Sequence, residues 1–179
     1  MIKVSDHQLI QRYRSGDAAA FDYLYERYRP QVFNYLYRQL HQQQIAEDIY
    51  QDVWFKIINS IEQFKPDGHF TAWIFKIARN CLIDYWRQQK PEDPFPEDDV
   101  EDATATPEHI QFIRSCIERL VSLLESLKPE QREVFVLQQE SGLTLEQIAQ
   151  LASCGRETIK SRLRYAMKKI RQGLEGCDE

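Results

Sequence analysis

Almost every segment of this chain spaces its apolar residues three and four positions apart, which places them on one face of an α-helix. No segment of useful length alternates apolar and polar residues in the way that a half-buried strand does. Hydrophobic residues form 42% of the 179 residues, which is enough for the cores of one or two small domains. The spacing therefore predicts an all-α protein.

The composition changes near residue 90, and this change predicts two helical domains. Sixteen of the 21 aromatic residues lie between Phe21 and Trp86. Between Pro91 and Ile113 there are eight Asp or Glu residues, four prolines and no Lys or Arg. Like charges and prolines oppose compact structure, so we interpret 91–106 as an acidic flexible linker, in preference to an acidic strand that mimics nucleic acid. The linker separates an aromatic-rich domain, 1–90, from a smaller one, 107–179, and permits both open and compact arrangements.

The sequence lacks the signals of a membrane or secreted protein. It has no run of about 18 apolar residues, and its first six residues carry neither a charged start nor an apolar stretch. We therefore expect a cytoplasmic protein that does not insert into a membrane.

The cysteines and histidines give no sign of a metal centre, a cofactor or an enzyme active site. The four cysteines are far apart and have no zinc-binding spacing, so we expect free thiols, with Cys81 in a core. A redox role for Cys154 or Cys177 is the less favoured alternative. The four histidines do not group with nucleophiles or paired carboxylates, which argues against catalysis.

Local signals predict the helix boundaries of the N-terminal domain. Ser5 and Gln8 have the spacing of a capping box, and Asp17 is expected to cap the second helix. A third helix carries a core stripe of Ile45, Ile49, Val53 and Ile57. The Phe64–His69 segment is a loop by its Pro and Gly, and a fourth helix follows from Phe70 to about Gln89.

The C-terminal domain begins with a predicted cap at Thr106–Pro107. Its first helix carries Ile110, Ile113, Ile117, Leu120, Leu124 and Leu127. A second helix starts at Lys128–Pro129, turns Val134, Phe135 and Leu137 inward, and ends at Ser141–Gly142.

Residues Thr144–Arg162 are typical of a helix-turn-helix. Thr144 and Gln147 have capping-box spacing, and Gly155 is expected to supply an unusual backbone conformation in the turn. The second helix starts near Arg156, and its predicted core face is Ile159, Leu163, Ala166, Met167 and Ile170.

Positive charge is concentrated on this second helix although the whole chain has a formal charge of −5. Seven Lys or Arg and one acid lie between Arg156 and Arg171. The local charge predicts DNA binding, whereas the net charge alone would argue against it.

Two further sets of residues in the N-terminal domain suit binding. Asp48, Gln51, Asp52 and Phe55 share one face of the third helix, beside its core stripe, and suit a basic helical partner. A solvated acidic face is the alternative.

The fourth helix interleaves aromatic residues such as Trp73 with basic and amide side chains, as a platform for single-stranded nucleic acid does. The alternative there is that Phe70 and Trp73 belong to the core.

Four motifs, in order, resemble those of bacterial sigma factors of the sigma-70 family, extracytoplasmic-function group. The motifs are Ala46–Phe55, Phe70–Asn80, Leu127–Phe135, and Ile148–Ala149 with Thr158–Leu163. The resemblance extends from about Asp6 to Gly173 and assigns region 2 to the N-terminal domain and region 4 to the C-terminal domain. It implies a factor that binds core RNA polymerase, directs it to promoters and helps to open the strands, with no cofactor and no enzymatic activity.

The resemblance also implies roles for particular residues. Asp48, Gln51, Asp52 and Phe55 match the surface that docks on the β′ clamp helices, and the helix after Pro129 matches the one that contacts the β flap. The residues that match the −10 reading and melting part are Phe64, Lys65, Trp73, Lys76, Arg79, Asn80, Asp84 and Arg87. Those that match the −35 reading part are Arg156, Thr158, Lys160, Ser161, Arg164, Tyr165 and Lys168, of which Arg156 and Lys168 suit phosphate contacts.

Two departures from the family pattern and one rival interpretation remain. The family often has Gly where this chain has Ser153. It commonly has an apolar or small residue where this chain has Lys128, beside Pro129. An anti-sigma factor is a further partner that the resemblance implies. The rival is a helix-turn-helix regulator that binds DNA by itself, which would leave the motifs of the N-terminal domain unexplained.

Overall fold

The computed structural model describes residues 4–65, 68–89 and 108–177. These residues form helices and no strand, which confirms the all-α prediction. The helices are α1 (Asp6–Arg14), α2 (Ala19–Leu40), α3 (Gln43–Ser60), α4 (Phe70–Gln88), α5 (Glu108–Glu125), α6 (Pro129–Ser141), α7 (Leu145–Leu151) and α8 (Arg156–Gly173). A short 3-10 turn, Ile61–Gln63, follows α3. The predicted linker and the Thr106–Pro107 cap lie outside the described residues.

Both predicted capping boxes are present. The Ser5 hydroxyl accepts a hydrogen bond from the backbone N–H of Gln8 at 3.3 Å, and the Gln8 side chain accepts one from the Ser5 N–H at 3.0 Å. Thr144 and Gln147 make the same reciprocal pair at the start of α7. Each box satisfies two backbone donors that a helix start would otherwise leave without a partner.

The other predicted helix ends are correct at α6 and wrong at α2. Pro129 is the first residue of α6, and Gly142 ends the helix in the left-handed conformation with φ 64°. Asp17 does not cap α2, because its carboxylate accepts hydrogen bonds from Arg12 Nε at 2.9 Å and Nη2 at 2.6 Å. A nearby guanidinium is a stronger partner for the carboxylate than a backbone N–H.

Helices α1 to α4 enclose an aromatic-rich core. The predicted stripe of α3 is buried at Ile49, Val53 and Ile57, and Ile45 is partly buried. Trp54 on α3 packs edge-on against Tyr25 of α2, with ring centroids 4.7 Å apart. Burial of each large apolar side chain contributes about 1.5–3 kcal/mol, so this core fixes the angle at which α3 and α4 present their outer faces.

Helices α5 and α8 share a smaller core. Leu124 of α5 and Leu127, two residues beyond the end of that helix, pack with Ala166 and Ile170 of α8. Ile113 and Ile117 of the predicted α5 stripe stay exposed, and 56% of Ile117 is accessible to solvent. The periodicity therefore predicted the correct face of α5. Among the described residues, only the C-terminal half of that face packs against another helix.

The two halves of the chain pack tightly against each other. Val134, Val136 and Leu137 of α6 are buried in the same core cluster as the side chains of α2 and α4. Polar contacts flank this apolar junction: Arg38 pairs with Glu140 at 2.7 Å. Of the open and compact arrangements that the sequence permits, the structure shows the compact one.

His41 lies at the edge of the same junction. Arg132 Nη1 of α6 donates a hydrogen bond to His41 Nε2 at 2.9 Å, because a guanidinium has donors only. The other ring nitrogen, Nδ1, lies 3.5 Å from a Glu125 carboxylate oxygen. Burial and the charge of Arg132 lower the pKa of His41, whereas Glu125 opposes that shift.

The prediction of four free thiols is wrong for one pair. Cys116 of α5 and Cys177, beyond the end of α8, form a disulfide across 61 positions of sequence. A pairing over such a separation cannot be predicted from cysteine spacing, so the bond was not expected. Cys81 is free and buried, as predicted, and Cys154 is free and partly exposed. In the chain-entropy account, a loop of this length stabilises the folded state by about 4 kcal/mol.

None of the described helices is long and apolar enough to cross a membrane.

Acidification is expected to weaken the junction through His41. The pKa of His41 is lowered in the folded state, so the unfolded chain binds the proton more readily. The contribution of the neutral imidazole is complete above its ordinary pKa of about 6.5 and is lost as the pH falls through that value towards the lowered one. Urea unfolding at pH 7.5 and pH 5.5 should show a larger loss of stability for the wild type than for His41→Gln.

His41→Gln keeps a hydrogen-bond acceptor for Arg132 but does not titrate, so the other three histidines act equally in both proteins. Equal pH dependence of wild type and variant would contradict the assigned role of His41.

Candidate nucleic-acid interface

The helix-turn-helix is formed by α7, a short turn and α8. In that turn, Ser153 adopts the left-handed conformation, with φ 54°, whereas Gly155 has an ordinary φ of −70° and precedes α8 as its N-cap. The prediction that Gly155 supplies the unusual conformation is therefore wrong by two residues. The turn keeps its left-handed residue at the position where the family often has Gly, and Ser carries the steric cost there.

The outer face of α8 presents a basic surface, which we call the α8 face. Ile159, Ala166 and Ile170 are buried, which turns the opposite side of the helix outward. Met167 is 42% exposed, so its assignment to the core is wrong. The α8 face consists of exposed Lys160, Ser161, Arg164, Tyr165 and Lys168.

The start of α8 is held by ion pairs. The Arg156 guanidinium contacts the carboxylate of Glu146 on α7 and lies 3.9 Å from that of Glu157. Lys160 lies 3.7 Å from Glu157, and Thr158 is exposed beside them. These pairs are exposed and contribute little to stability, so Arg156 and Lys160 can exchange them for phosphates or bases.

A second polar surface, the α4 face, runs along one side of α4. Its residues follow one another at spacings of three and four, and all except the partly buried Trp73 are exposed. The α4 face consists of Trp73, Lys76, Asn80, Asp84 and Arg87. Lys65, at the entrance to the loop before α4, is also exposed.

Aromatic rings anchor one end of the α4 face. Phe64 and Phe70 are buried, and their ring centroids lie 5.3 Å and 5.5 Å from that of Trp73. Phe70 is therefore a core residue. The expectation that Phe64 contacts DNA does not fit this arrangement, because its ring is buried against Phe70 and Trp73. Trp73 is left as the ring at the edge of the cluster.

Arg14 positions the loop that precedes α4, and sequence reasoning missed it. Its Nη2 donates hydrogen bonds to the backbone carbonyls of Ile61 at 2.7 Å, Glu62 at 2.9 Å and Phe64 at 2.6 Å. These acceptors lie about fifty positions away in sequence, so no local motif could have identified the contact. A charged donor that binds three carbonyls fixes the path of the chain into the loop.

Arg79 points away from the α4 face and into the junction with α6. Its Nε donates a hydrogen bond to Glu133 Oε1 at 2.8 Å, and both side chains are mostly buried. The expectation that Arg79 contacts DNA is therefore not met in the compact arrangement, because the guanidinium is already paired. Lys76 and Asn80, on either side of it in sequence, remain exposed.

The predicted docking surface of α3, the α3 face, is fully exposed. Asp48, Gln51, Asp52 and Phe55 lie on one side of the helix, and Phe55 is 68% accessible to solvent. Ile58 continues the strip by one turn and is also exposed, although the sequence interpretation did not include it. An exposed aromatic ring and an exposed aliphatic side chain next to carboxylates suit a protein partner.

A groove of about 550 Å³ separates the α3 face from the α4 face. Asp48, Asp52 and Asp84 line it, with Lys56 Nζ 3.8 Å from Asp84. Burial raises the pKa of Cys81 at its floor, which keeps this thiol protonated and unreactive. No group of His, Cys, Asp and Glu within the described ranges has the arrangement of a metal site.

Comparison with known families agrees with this arrangement of surfaces. The chain matches Sigma-70 region 2 over residues 24–92, which include the α3 and α4 faces. It matches Sigma-70, region 4 over residues 123–172, which include the helix-turn-helix. The chain belongs to the sigma-70 family. Both matches lie where the resemblance of the motifs places them.

Full-length relatives assign this sigma factor to the extracytoplasmic-function group. It is 29% identical to RNA polymerase sigma factor CarQ of Myxococcus xanthus, over 92% of this chain and 95% of the relative. It is 28% identical to the ECF RNA polymerase sigma-E factor of Haemophilus influenzae, over 97% of each chain. The protein is a promoter-directing transcription initiation factor.

Two solved structures share the fold. The structure of CnrH in complex with the cytosolic domain of CnrY aligns with a TM-score of 0.69 at 22% identity, over 97% of this chain and 99% of that chain. The sigma factor RpoE of Bartonella quintana, in complex with the anti-sigma factor NepR, aligns with a TM-score of 0.70 at 23% identity, over 87% and 96%.

Replacing Ser153 by Gly is expected to stabilise the sigma factor. A left-handed conformation costs a residue with a Cβ about 1–2 kcal/mol, and part of this is offset by the greater freedom of Gly in the unfolded chain. Ser153→Gly should therefore raise the free energy of unfolding by about 1 kcal/mol. Thermal unfolding followed by circular dichroism measures the change.

Ser15→Gly is the matched control, since Ser15 has a φ of −84° and its hydroxyl donates to the Gln11 carbonyl. That variant should lose stability. A loss at both positions would show that Ser153 carries no backbone strain.

Proposed function

We propose that this sigma factor reads the −35 element with the α8 face. Lys160, Arg164 and Tyr165 are exposed together on the second helix of a helix-turn-helix, and this exposure is the main support for the proposal. An α-helix fits the major groove, where Arg and Lys recognise the acceptors of guanine and Ser is compatible with several bases. Arg156, Thr158 and Lys168 lie at the two ends of this surface and suit contacts with phosphates.

The α4 face is our proposed site for reading and melting the −10 element. Trp73 offers a partly exposed ring on which an unpaired base can stack, at about 1–3 kcal/mol per base. Lys65, Lys76 and Arg87 are exposed cations that suit the phosphates of the separated strands. Asn80 can donate to or accept from a base edge, and Asp84 can accept from one. This binding energy offsets the unpairing of bases, so the factor acts by binding and not as an enzyme.

The α3 face is our proposed contact with the β′ clamp helices of core RNA polymerase. Its carboxylates at Asp48 and Asp52 are exposed, as is the large apolar surface of Phe55. Carboxylates steer a basic partner into register, and a central aromatic ring provides most of the affinity in such interfaces. We assign α6 to the β flap, as the family resemblance implies. Because the factor acts on RNA polymerase, we place it in the cytoplasm.

We infer that the two halves separate when the factor engages polymerase. Arg79 is paired with Glu133 and α6 is packed on α2, so neither is available in the compact arrangement. Separation would free both without unfolding α1 to α4. It would require movement between 1–90, region 2, and 107–179, region 4, which the linker at 91–106 would permit.

An anti-sigma factor is the further partner that we propose. CnrH and the Bartonella quintana RpoE, which share this fold, were each solved in complex with a second protein, and NepR is described as an anti-sigma factor. A partner that covers the α3 face would compete directly with core polymerase for the same residues.

Charge reversal on the two faces should separate the two activities. Arg164→Glu places a carboxylate against DNA, so transcription from a promoter that needs its −35 element should fall at least about tenfold while core binding is unchanged. Asp52→Lys should instead weaken core binding at least about tenfold, because it repels a basic partner. Run-off transcription and fluorescence anisotropy with labelled protein and core polymerase measure the two effects.

Exposed charges elsewhere provide matched controls. Arg119→Glu on α5 and Asp22→Lys on α2 make the same reversals away from the α8 and α3 faces, and both should retain activity. Loss of core binding in Arg164→Glu, or normal core binding in Asp52→Lys, would overturn the assignment of these faces.

A further inference from the structure

The disulfide between Cys116 and Cys177 joins two segments that apolar packing holds only weakly. The core shared by α5 and α8 begins at the partly buried Leu120 and continues through Leu124 and Leu127. On the preceding turns, Phe112, Ile113 and Ile117 are exposed. An isolated stretch of helix is marginally stable in water, so the cross-link provides an attachment that packing does not provide over 111–119.

The C-terminal end of the chain is shaped to bring Cys177 back to α5. Helix α8 ends at Gly173, and Gly176 takes a φ of 89°, which a residue with a Cβ rarely adopts. The backbone N–H of Cys177 donates to the Leu174 carbonyl at 2.9 Å and closes the turn. The two Cα atoms are then 5.9 Å apart, within the range that a disulfide spans.

We propose that Cys116 and Cys177 form a reversible thiol–disulfide clasp that strengthens −35 recognition when it is oxidised. Both cysteines are partly exposed, so small thiols and disulfides can reach them. Cys81, in contrast, is buried and its pKa is raised, which protects it from the same reagents. The formation of the clasp depends only on the protein, whereas its effect on −35 recognition rests on the function proposed above.

The chemistry needs a low-molecular-weight disulfide, for which oxidised glutathione is suitable. The thiolate of one cysteine attacks a glutathione sulfur and releases one reduced glutathione, leaving a mixed disulfide. The second thiolate attacks the protein sulfur of that mixed disulfide and releases the second reduced glutathione. The two protein thiols thus lose two electrons and two protons, which oxidised glutathione takes up. In a reducing cytoplasm the dithiol is the resting form, and oxidation closes the clasp.

The clasp acts on DNA recognition through the support of α8. Ala166 and Ile170 lie on the inner side of the helix whose outer side reads DNA, and both pack on α5. When the middle of α5, at Cys116, is tethered to the segment after α8, the platform beneath the α8 face is ordered before DNA binds. Ordering before binding lowers its entropic cost and so raises affinity.

The test equilibrates the full-length protein in glutathione buffers from fully reduced to fully oxidised, followed by acid quenching and alkylation. Mass spectrometry should show Cys116 and Cys177 protected together, while Cys154 stays alkylated. Thermal unfolding should give a Tm that is higher by about 5 °C or more in the oxidised form. Hydrogen exchange should slow over 108–119 on oxidation.

Transcription with core polymerase from a −35-dependent promoter should rise at least about threefold on oxidation. Cys177→Ser should match the reduced wild type in Tm and transcription under all buffers, and Cys154→Ser should keep the full transition. Cys116→Ser provides a second variant with the same expected behaviour as Cys177→Ser.

Three results would overturn the clasp: alkylation of both cysteines under oxidising buffer, an unchanged Tm, or a transition that persists in Cys177→Ser. Equal transcription in the two redox states would overturn its effect on recognition. Absence of any transcript that requires the protein would contradict the proposed function. Alkylation, Tm and hydrogen exchange would then still show whether the clasp forms.

Discussion

The packing of α6 against α2 is the contact on which the arrangement of the whole molecule depends. Val134, Val136 and Leu137 are buried in one core with the side chains of the N-terminal half. Around them, Arg79 pairs with Glu133 and Arg38 with Glu140. A mostly buried pair such as Arg79–Glu133 leaves an uncompensated charge when one partner is removed, so the pairs fix how the halves fit together more than they add to stability. The same contacts decide which surfaces remain open to partners.

This arrangement leaves the α3, α4 and α8 faces exposed, whereas Arg79 and helix α6 are covered by contacts between the two halves. The α3, α4 and α8 faces all lie on helices whose opposite sides are buried, so rigid elements hold their side chains in place. Arg79 and α6 are engaged in the junction. In the function proposed above, the factor would present the α3 face to polymerase first and release the contacts of the junction once it is bound, because interactions with polymerase would replace those lost at the junction.

Local features of the fold were predictable, and contacts between distant residues were not. The capping boxes at Ser5 and Thr144 depend on residues three positions apart, and the exposed α8 face follows from helical spacing. In contrast, Arg79 meets a partner 54 positions away, and Cys116 meets one 61 positions away. The spacing of apolar residues along a helix does not indicate which distant residues will pair. The prediction for the turn before α8 was wrong for another reason. Gly155 has the greater backbone freedom, but the left-handed conformation occurs two positions earlier, at Ser153.

Reconstituted transcription is the most direct test of the proposed function. Purified bacterial core polymerase would be incubated with this protein and fragmented genomic DNA, with core alone as the control, and transcript starts would be mapped. The proposed function predicts discrete transcripts that require the protein and share aligned −10 and −35 elements. It also predicts that Arg164→Glu loses the transcripts that depend on the −35 element. Specific DNA binding by the protein alone, without new transcripts, would contradict it and favour a regulator that acts independently of polymerase.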